Sequence, residues 1–148
     1  MNGYRVLVAD DDPTFLRLLS RAIKGRFEVR EVESGEEALA TARTWRPDLV
    51  SLDHHMGGWT GLETMRRFQA EASLADVPII MCTSDASTRL LAEAITLGAK
   101  GFIAKATFEA AAYRDLVTDV ISGRGQILRA DGPDATARAT GEVSGCRA

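Results

Sequence analysis

The stretch VLVADDD, residues 6–12, decides the fold of this chain, because an apolar run ends abruptly in three carboxylates. Two other apolar runs also end in charge: 49–52 leads into Asp53, and 102–104 leads into Lys105. If these runs are neighbouring parallel strands, their carboxyl ends lie along one edge of a sheet and bring the charged side chains into one cleft. Carboxylates about 4 Å apart repel by roughly 4 kcal/mol at an effective dielectric constant near 20. The pattern therefore predicts that a cation occupies the cleft.

Short apolar runs alternate with segments of helical period along most of the chain, which is typical of βαβ units and a parallel sheet. We predict strands at 5–9, 27–32, 48–52, 79–82 and 102–104, and helices at 13–23, 35–44, 62–71, 86–97 and 108–121. Asp12 followed by Pro13 is typical of a helix N-terminus, and Ser34 with Glu37 forms a capping-box pattern. The expected fold is α/β, a doubly wound five-stranded parallel sheet of the (βα)5 type. Such sheets bind ligands in the crevice outside the carboxyl ends of their strands.

Length and composition indicate one domain followed by a tail. A chain of 148 residues is within the usual size of a single domain. We assign 1–122 to this domain. The segment 123–148 is rich in Gly, Ala, Thr, Arg and Asp and poor in large apolar residues, so we expect a flexible tail there.

Charge and cysteine usage limit the classes of partner and compartment. The net charge of −3 argues against a nucleic acid or an anionic membrane as the partner, because both require a clustered basic face. There is no apolar stretch of the roughly 18 residues that a transmembrane helix needs, and the first residues lack a signal-peptide pattern. Cys82, in an apolar run, and Cys146, in a polar segment, suggest free thiols in a reducing compartment. We therefore predict a cytoplasmic protein.

The predicted strand ends carry an acidic pair, a single aspartate, a threonine and a lysine: Asp10 and Asp11, Asp53, Thr83, and Lys105. Met56 and Gly61 follow the single aspartate, and Phe102 lies in the last strand. In order and spacing these residues closely resemble the receiver domain of bacterial two-component response regulators. The resemblance covers residues 4–122 and implies a flavodoxin-like fold.

The resemblance implies a magnesium-dependent phosphoacceptor site. Asp53 would accept the phosphoryl group, Asp11 and Asp53 would bind Mg²⁺ directly, and Asp10 would act mainly through metal-bound water. The backbone carbonyl of His55 would be a further ligand, and Mn²⁺ could take the place of Mg²⁺. Carboxylate and carbonyl oxygens are the hard ligands that Mg²⁺ prefers. A carboxylate nucleophile yields an acyl phosphate, which is labile enough to serve as a resettable signal.

The resemblance also implies that the remaining site residues respond to the phosphorylation of Asp53. Lys105 and the hydroxyl of Thr83 would contact the phosphoryl oxygens, and Thr83 with Phe102 would form a switch. The switch would reshape the face formed by the fourth helix, fifth strand and fifth helix. We expect exposed residues there: Arg89, Glu93, Lys100 and Thr107.

The implied function is that of a stand-alone response regulator. It would receive a phosphoryl group from a histidine kinase or a histidine phosphotransfer protein and pass the signal to an output protein that the sequence does not identify. We expect a monomer or a weak phosphorylation-dependent dimer that turns over no external substrate.

Four positions depart from the family pattern, and one of them is Phe102, which takes the place often held by tyrosine and has no hydroxyl. Gly57 replaces a proline and Thr60 an acid in the loop after Asp53, so we expect a less rigid loop. Ala106 replaces the proline after Lys105, and we expect a trans peptide there because a cis bond before alanine costs ~2.5–4 kcal/mol.

Several alternatives stay open at this point. The chain could be a degenerate receiver that acts as a phosphorylation-independent interaction scaffold. A phosphatase of the aspartyl-phosphate class would need a second acid where His55 stands. His54 and His55 could bind zinc, although adjacent loop histidines are usually solvated, and Asp12 is better explained as a helix cap than as a ligand. Trp59 could dock a partner or cover nearby apolar surface.

Overall fold

A single parallel sheet forms the centre of the computed structural model, which describes residues 3–123 and the backbone of 128–129. The strands are β1 Arg5–Ala9, β2 Glu28–Val32, β3 Leu49–Leu52, β4 Ile79–Thr83, β5 Gly101–Ala104 and β6 Leu128–Arg129. Their order is β2-β1-β3-β4-β5-β6, and every neighbouring pair is parallel. The predicted five-stranded α/β sheet is confirmed, and β6 is a two-residue addition at the free edge of β5.

Five helices connect the strands, as the sequence pattern predicts. They are α1 Pro13–Ile23, α2 Gly35–Trp45, α3 Gly61–Gln69, α4 Thr88–Thr96 and α5 Ala110–Ile121. The start of α4 lies later than predicted, because the side chain of Ser87 accepts a hydrogen bond from the amide of Leu90 and so caps the helix. The start of α5 is also later than predicted, since Phe108 and Glu109, which follow the short 3₁₀ turn Lys105–Thr107, have extended backbone angles.

Side-chain caps define where the first two helices begin. The Asp12 carboxylate accepts hydrogen bonds from the amides of Thr14 and Phe15, which confirms its predicted role as the N-cap of α1. At α2 the hydroxyl of Ser34 accepts from the amide of Glu37 at 3.1 Å. The Glu37 carboxylate accepts from the amide of residue 33 at 2.8 Å, one residue before the cap. The predicted capping box is therefore present in a slightly shifted form.

The sheet separates two hydrophobic cores because alternate residues of each strand face opposite sides. On one side, α2, α3 and α4 pack against strand residues Leu7, Ala9, Val50, Leu52, Met81 and Phe102. On the other side, α1 and α5 pack against Val6, Val8, Leu49, Ile80, Cys82 and Ile103. Covering both faces leaves the carboxyl edge of the sheet as the open crevice.

Three further expectations concern the backbone and the chain end. Among residues 3–123 every peptide bond is trans, including the one between Lys105 and Ala106, as expected. Within the part of the chain that the structure describes, no helix is long and apolar enough to span a membrane. The predicted flexible tail at 123–148, and Cys146 with it, lies almost entirely outside the described residues, while Cys82 is a buried free thiol as predicted.

Candidate functional site

Backbone pairing places Asp10 and Asp53 side by side at the carboxyl edge of the sheet. In the parallel pair of β1 and β3, Ala9 lies opposite Leu52, so the two aspartates leave the strands at the same level. The amide of Asp53 donates to the carbonyl of Ala9 at 3.0 Å. Asp10 is fully buried and the side chain of Asp53 is 4% exposed. The predicted neighbourhood of these two acids is present.

Lys105 lies between the two buried acids. Its ammonium nitrogen is 2.7 Å from Oδ2 of Asp10 and 3.1 Å from Oδ2 of Asp53, and its side chain is 14% exposed. The pairing of β4 with β5 sets Thr83 opposite Ala104, so the threonine and the lysine emerge beside each other. The structure therefore brings together four side chains that sequence reasoning had selected from four separate strands.

Burial and neighbouring charges shift the pKa values of Asp10 and Lys105, and both pKa values are raised. Burial raises the pKa of Asp10, and the negative charge of Asp53 acts in the same direction, while Lys105 and the amide of Asp12 oppose the rise. Burial alone would lower the pKa of Lys105, but contact with both carboxylates outweighs it and raises that pKa. The lysine is thus charged at neutral pH and balances part of the negative charge.

Asp11 completes a carboxylate cluster whose chemistry fits Mg²⁺. Asp11 is exposed, and oxygens from Asp10, Asp11 and Asp53 lie within 4.8 Å of one another. Oxygen donors at this spacing, open to solvent on one side, suit an ion that keeps several of its waters. Three carboxylates against one ammonium also leave an excess of negative charge that a divalent cation would relieve. The predicted metal-binding residues Asp10, Asp11 and Asp53 therefore form a donor set that fits the ion.

Hydrogen bonds orient the polar groups around the cluster. The amide of Asp12 donates to Oδ1 of Asp10 at 2.9 Å, so the third acid of the run supports the site through its backbone. The side chain of Thr83 is fully buried, and its hydroxyl oxygen accepts from the amide of Asp85 at 3.2 Å. The loop that leads to α4 therefore orients the threonine hydroxyl.

The loop after Asp53 is anchored despite its glycines. The amide of His55 donates to Oδ1 of Asp53 at 3.3 Å, and Met56 is buried in the core. The Thr60 side chain caps α3 by accepting from the amide of Glu63. A Cβ on Gly61 would lie 2.7 Å from the carbonyl oxygen of Asp53, so only glycine fits there. These contacts fix the two ends of the loop, at His55 and Met56 and at Thr60 and Gly61, and the expected lower rigidity of the loop stays a prediction.

Trp59 covers apolar surface in this loop. Its half-buried ring packs against the core beneath α3, and the guanidinium of Arg67 lies over it at 4.5 Å. Of the two roles considered for Trp59, the structure shows the covering one.

Within the part of the chain that the structure describes, the two histidines of the loop belong to no group of potential metal ligands. The ring of His55 is exposed, and its Nε2 lies 3.2 Å from Oδ2 of Asp85. His54 is half-buried, and burial lowers its pKa, which favours the neutral ring. Among the described residues, the group of three acids named above is the one cluster of potential metal ligands, and it contains no histidine. The side chain of His55 joins the acceptor loop to the loop after β4, a contact that sequence reasoning did not predict.

The proposed switch residue Phe102 is buried in the core on the side of α3 and α4, with 1% of its surface exposed. The Phe102 ring is therefore part of the packed core, and the switch role implied for Phe102 with Thr83 stays a prediction. The residues expected on the neighbouring surface are all exposed: Arg89, Glu93, Lys100 and Thr107.

Sequence reasoning missed two aromatic residues at the site. The ammonium of Lys105 lies 4.6 Å from the ring centre of Phe15, and Phe15 packs edge-on against Phe108. The available signal was the position of Phe15 in the first turn of α1, close after the acidic run. That turn lies at the same sheet edge as the cleft.

Comparison with known proteins gives a consistent result. A family model described as "Response regulator receiver domain" matches residues 6–117. The DNA-binding response regulator MtrA of Mycolicibacterium smegmatis is 33% identical over 102 residues, covering 68% of this chain and 43% of that protein. Protein-glutamate methylesterase/protein-glutamine glutaminase 2 of Anaeromyxobacter dehalogenans is 36% identical over 118 residues, covering 76% of this chain and 34% of that protein. The match spans less than half the length of both relatives.

A solved structure shares the fold over most of the chain. The chemotaxis response regulator CheY4 of Vibrio cholerae superimposes with a TM-score of 0.73 at 27% sequence identity. The superposition covers 79% of this chain and 98% of that one.

Proposed function

The chain belongs to the response regulator receiver domain family, and on that premise we propose that it accepts a phosphoryl group on Asp53 in a Mg²⁺-dependent reaction. The donor would be a histidine kinase or a histidine phosphotransfer protein. The phosphorylated form would then signal through a change in its protein-binding face.

The contact that carries this proposal is the one between Lys105 and its two acids. An ammonium 3.1 Å from Asp53 and 2.7 Å from Asp10 stands where charge would build up on an incoming phosphoryl group. Phosphoryl transfer requires mainly positioning and charge stabilisation from the protein. A degenerate scaffold would have no need to bury Asp10 and Asp53 against a lysine, since each buried charge is costly.

The chemistry follows from these positions. A carboxylate oxygen of Asp53 attacks the phosphorus of phosphohistidine, the P–N bond breaks, and the imidazole leaves with its electron pair to give an acyl phosphate. Mg²⁺ held by Asp10, Asp11 and Asp53 would neutralise charge on the phosphoryl oxygens. Lys105 and the Thr83 hydroxyl would contact the same oxygens. Attack of water on the phosphorus would later release inorganic phosphate and restore the carboxylate.

The direct test is labelling with acetyl phosphate and Mg²⁺, followed by intact-mass spectrometry. We expect one phosphoryl group on the wild type and none on Asp53→Asn. Asp12→Asn is the matched control, because asparagine also caps a helix, and it should be labelled like the wild type. Undiminished labelling of Asp53→Asn would refute the assignment, and an unlabelled wild type would favour the scaffold alternative.

We further propose that output leaves through the face of α4, β5 and α5. Thr83 lies between Asp53 and this face, and the loop held by its hydroxyl leads directly into α4. A two-state packing change at this loop would convert the local charge of the phosphoryl group into altered partner affinity. Amide NMR spectra with and without beryllofluoride, a phosphoryl mimic, should show shifts throughout 86–107. Shifts confined to the loops around Asp53 would contradict this route.

Stand-alone status and a cytoplasmic location stay predictions. An immunoblot of native cell extract tests both, since a soluble band near the 16.0 kDa of this chain is expected. A larger or membrane-bound product would contradict them.

A further inference from the structure

The ammonium of Lys105 has a third contact besides the two carboxylates. Its nitrogen lies 4.6 Å from the centre of the Phe15 ring. A cation within about 6 Å of an aromatic face is attracted by the negative face of the ring, more strongly where water is excluded. The lysine side chain is 14% exposed, so this contact forms in a mostly desolvated place.

The Phe15 ring is itself held by a chain of aromatic contacts. Phe108 meets Phe15 edge-on, with ring centres 5.1 Å apart and an angle of 69° between the planes. Phe108 in turn lies 5.7 Å from the ring of Tyr113, which is fully buried in the core beneath α5. Aromatic pairs at these separations and angles are in the favourable range. The ring over Lys105 is thus braced from α1 through to α5.

The fixed ring of Phe15 can restrict the position of the flexible Lys105 side chain. Lysine carries its charge on a flexible four-carbon stem, and the compact ammonium accepts many geometries. The carboxylates of Asp10 and Asp53, which contact Lys105, are also predicted to bind the metal. Once the ion binds, their negative charge is divided between the ion and the lysine. The contact with Phe15 does not depend on that charge. It can therefore hold the ammonium in place while the carboxylates change partners.

We propose that Phe15 is a positioning residue for phosphoryl transfer, whose ring, braced by Phe108, keeps the ammonium of Lys105 directed at Asp53. The proposal rests on the proposed phosphoacceptor function. It adds a residue on α1 to a site otherwise built from strand ends, and it gives the first turn of α1 a role in the rate of the reaction.

The test is a double-mutant cycle on the rate of labelling by acetyl phosphate, a donor that makes no protein interface. Phe15→Leu should slow labelling about fivefold, which corresponds to about 1 kcal/mol of lost stabilisation. Phe15→Tyr keeps an aromatic face and should stay within about twofold of the wild type. In the Lys105→Ala background, Phe15→Leu should cause no further loss, because coupled residues are not additive.

A matched control and a second variant keep the result interpretable. Leu18→Ala changes an exposed apolar residue elsewhere on α1 and should label at the wild-type rate. If Phe15→Leu is too unstable to assay, Phe108→Leu removes only the brace and should slow labelling about twofold. An unchanged rate in these variants, or an equal loss with and without Lys105, would overturn the proposal.

A structural readout separates this proposal from the phosphoacceptor function. The ring current of Phe15 should shift the Hε proton signals of Lys105, which are assigned by comparison with Lys105→Ala. That shift should disappear in Phe15→Leu and persist in Phe15→Tyr. Unchanged Lys105 signals in Phe15→Leu would refute the contact even if labelling succeeds. A wild type that is not labelled at all would refute the proposed function and leave the contact standing.

Discussion

Replacing Lys105 with methionine should destabilise the metal-free protein, because it leaves a buried negative charge without its cation. Methionine keeps much of the length and apolar character of the lysine stem and removes the ammonium. Asp10 is fully buried, so it cannot turn to water for compensation. The variant therefore isolates the electrostatic role of the lysine.

The expected size of the effect follows from the distances. Contacts of 2.7 Å to Asp10 and 3.1 Å to Asp53 correspond to attractions of about 6 and about 5 kcal/mol at an effective dielectric constant of 20. The cost of burying the lysine charge cancels much of this, and removing one partner of a buried pair typically costs about 3–5 kcal/mol. We expect a loss near the lower end, about 3 kcal/mol, since Asp10 can relieve part of it by taking up a proton.

The measurement is urea unfolding followed by circular dichroism, in EDTA and in saturating Mg²⁺, over a range of pH. Burial already raises the pKa of Asp10 above its ordinary 3.8, and removal of Lys105 raises it further. An acid with a higher pKa in the folded state favours folding as the pH falls towards that pKa. The deficit should therefore be largest at pH 7 to 8 and shrink towards acid pH. Mg²⁺ should also reduce it, because the ion replaces the missing positive charge.

Lys100→Met is the matched control, since Lys100 is an exposed lysine in the loop before β5. It should change the free energy of unfolding by less than about 0.5 kcal/mol. If Lys105→Met is as stable as the wild type in EDTA at pH 7.5, the reasoning is refuted. A deficit that does not respond to pH or Mg²⁺ would show that packing, and not charge, is responsible.

Two further predictions concern the metal and the acceptor loop. Mg²⁺ at a few to ten times its Kd should stabilise the fold by roughly 0.5–1.5 kcal/mol, and Asp11→Ala should abolish this response while the exposed position leaves the fold intact. A thermal melt of Asp11→Ala that still shifts with Mg²⁺ like the wild type would contradict the metal site. Gly61→Ala would set a Cβ 2.7 Å from the carbonyl oxygen of Asp53 and 2.9 Å from the Cα of His54, both rigid backbone atoms. It should cost about 1–3 kcal/mol in urea unfolding and slow labelling by acetyl phosphate, and wild-type behaviour would disprove the close packing of this turn.

The fold could be predicted largely from the sequence because local and long-range signals agree. Apolar runs of strand length and helices with caps such as Asp12 leave few topologies for a parallel sheet. The strand β6 could not be predicted, since Leu128–Arg129 pair with β5 through backbone atoms and lie in a segment of low hydrophobicity. The helix α4 begins at Thr88 and not at the predicted residue 86, because the hydroxyl of Ser87 accepts the capping bond from the amide of Leu90.

The charged part of the site could be predicted because strand ends in a parallel sheet must meet at one edge. Asp53 and Lys105 followed directly from this geometry. The aromatic support of Lys105 did not, because periodicity shows that Phe15 faces inward but not whether it faces the core or the cleft. That choice depends on how α1 crosses the sheet, which is set by packing against α5. The contact between His55 and Asp85 joins two loops, whose paths periodicity does not describe.

The two tryptophans of the chain lie at the two ends of α2, which makes them a natural pair of optical probes. Trp45 ends α2 at the amino edge of the sheet, where its carbonyl accepts a hydrogen bond from Arg5. Trp59 lies in the loop after Asp53, half-buried beneath Arg67. Replacing Trp45 with phenylalanine would leave one indole whose emission reports on the carboxyl edge alone. Events at the cleft could then be followed in real time by fluorescence, without any attached dye.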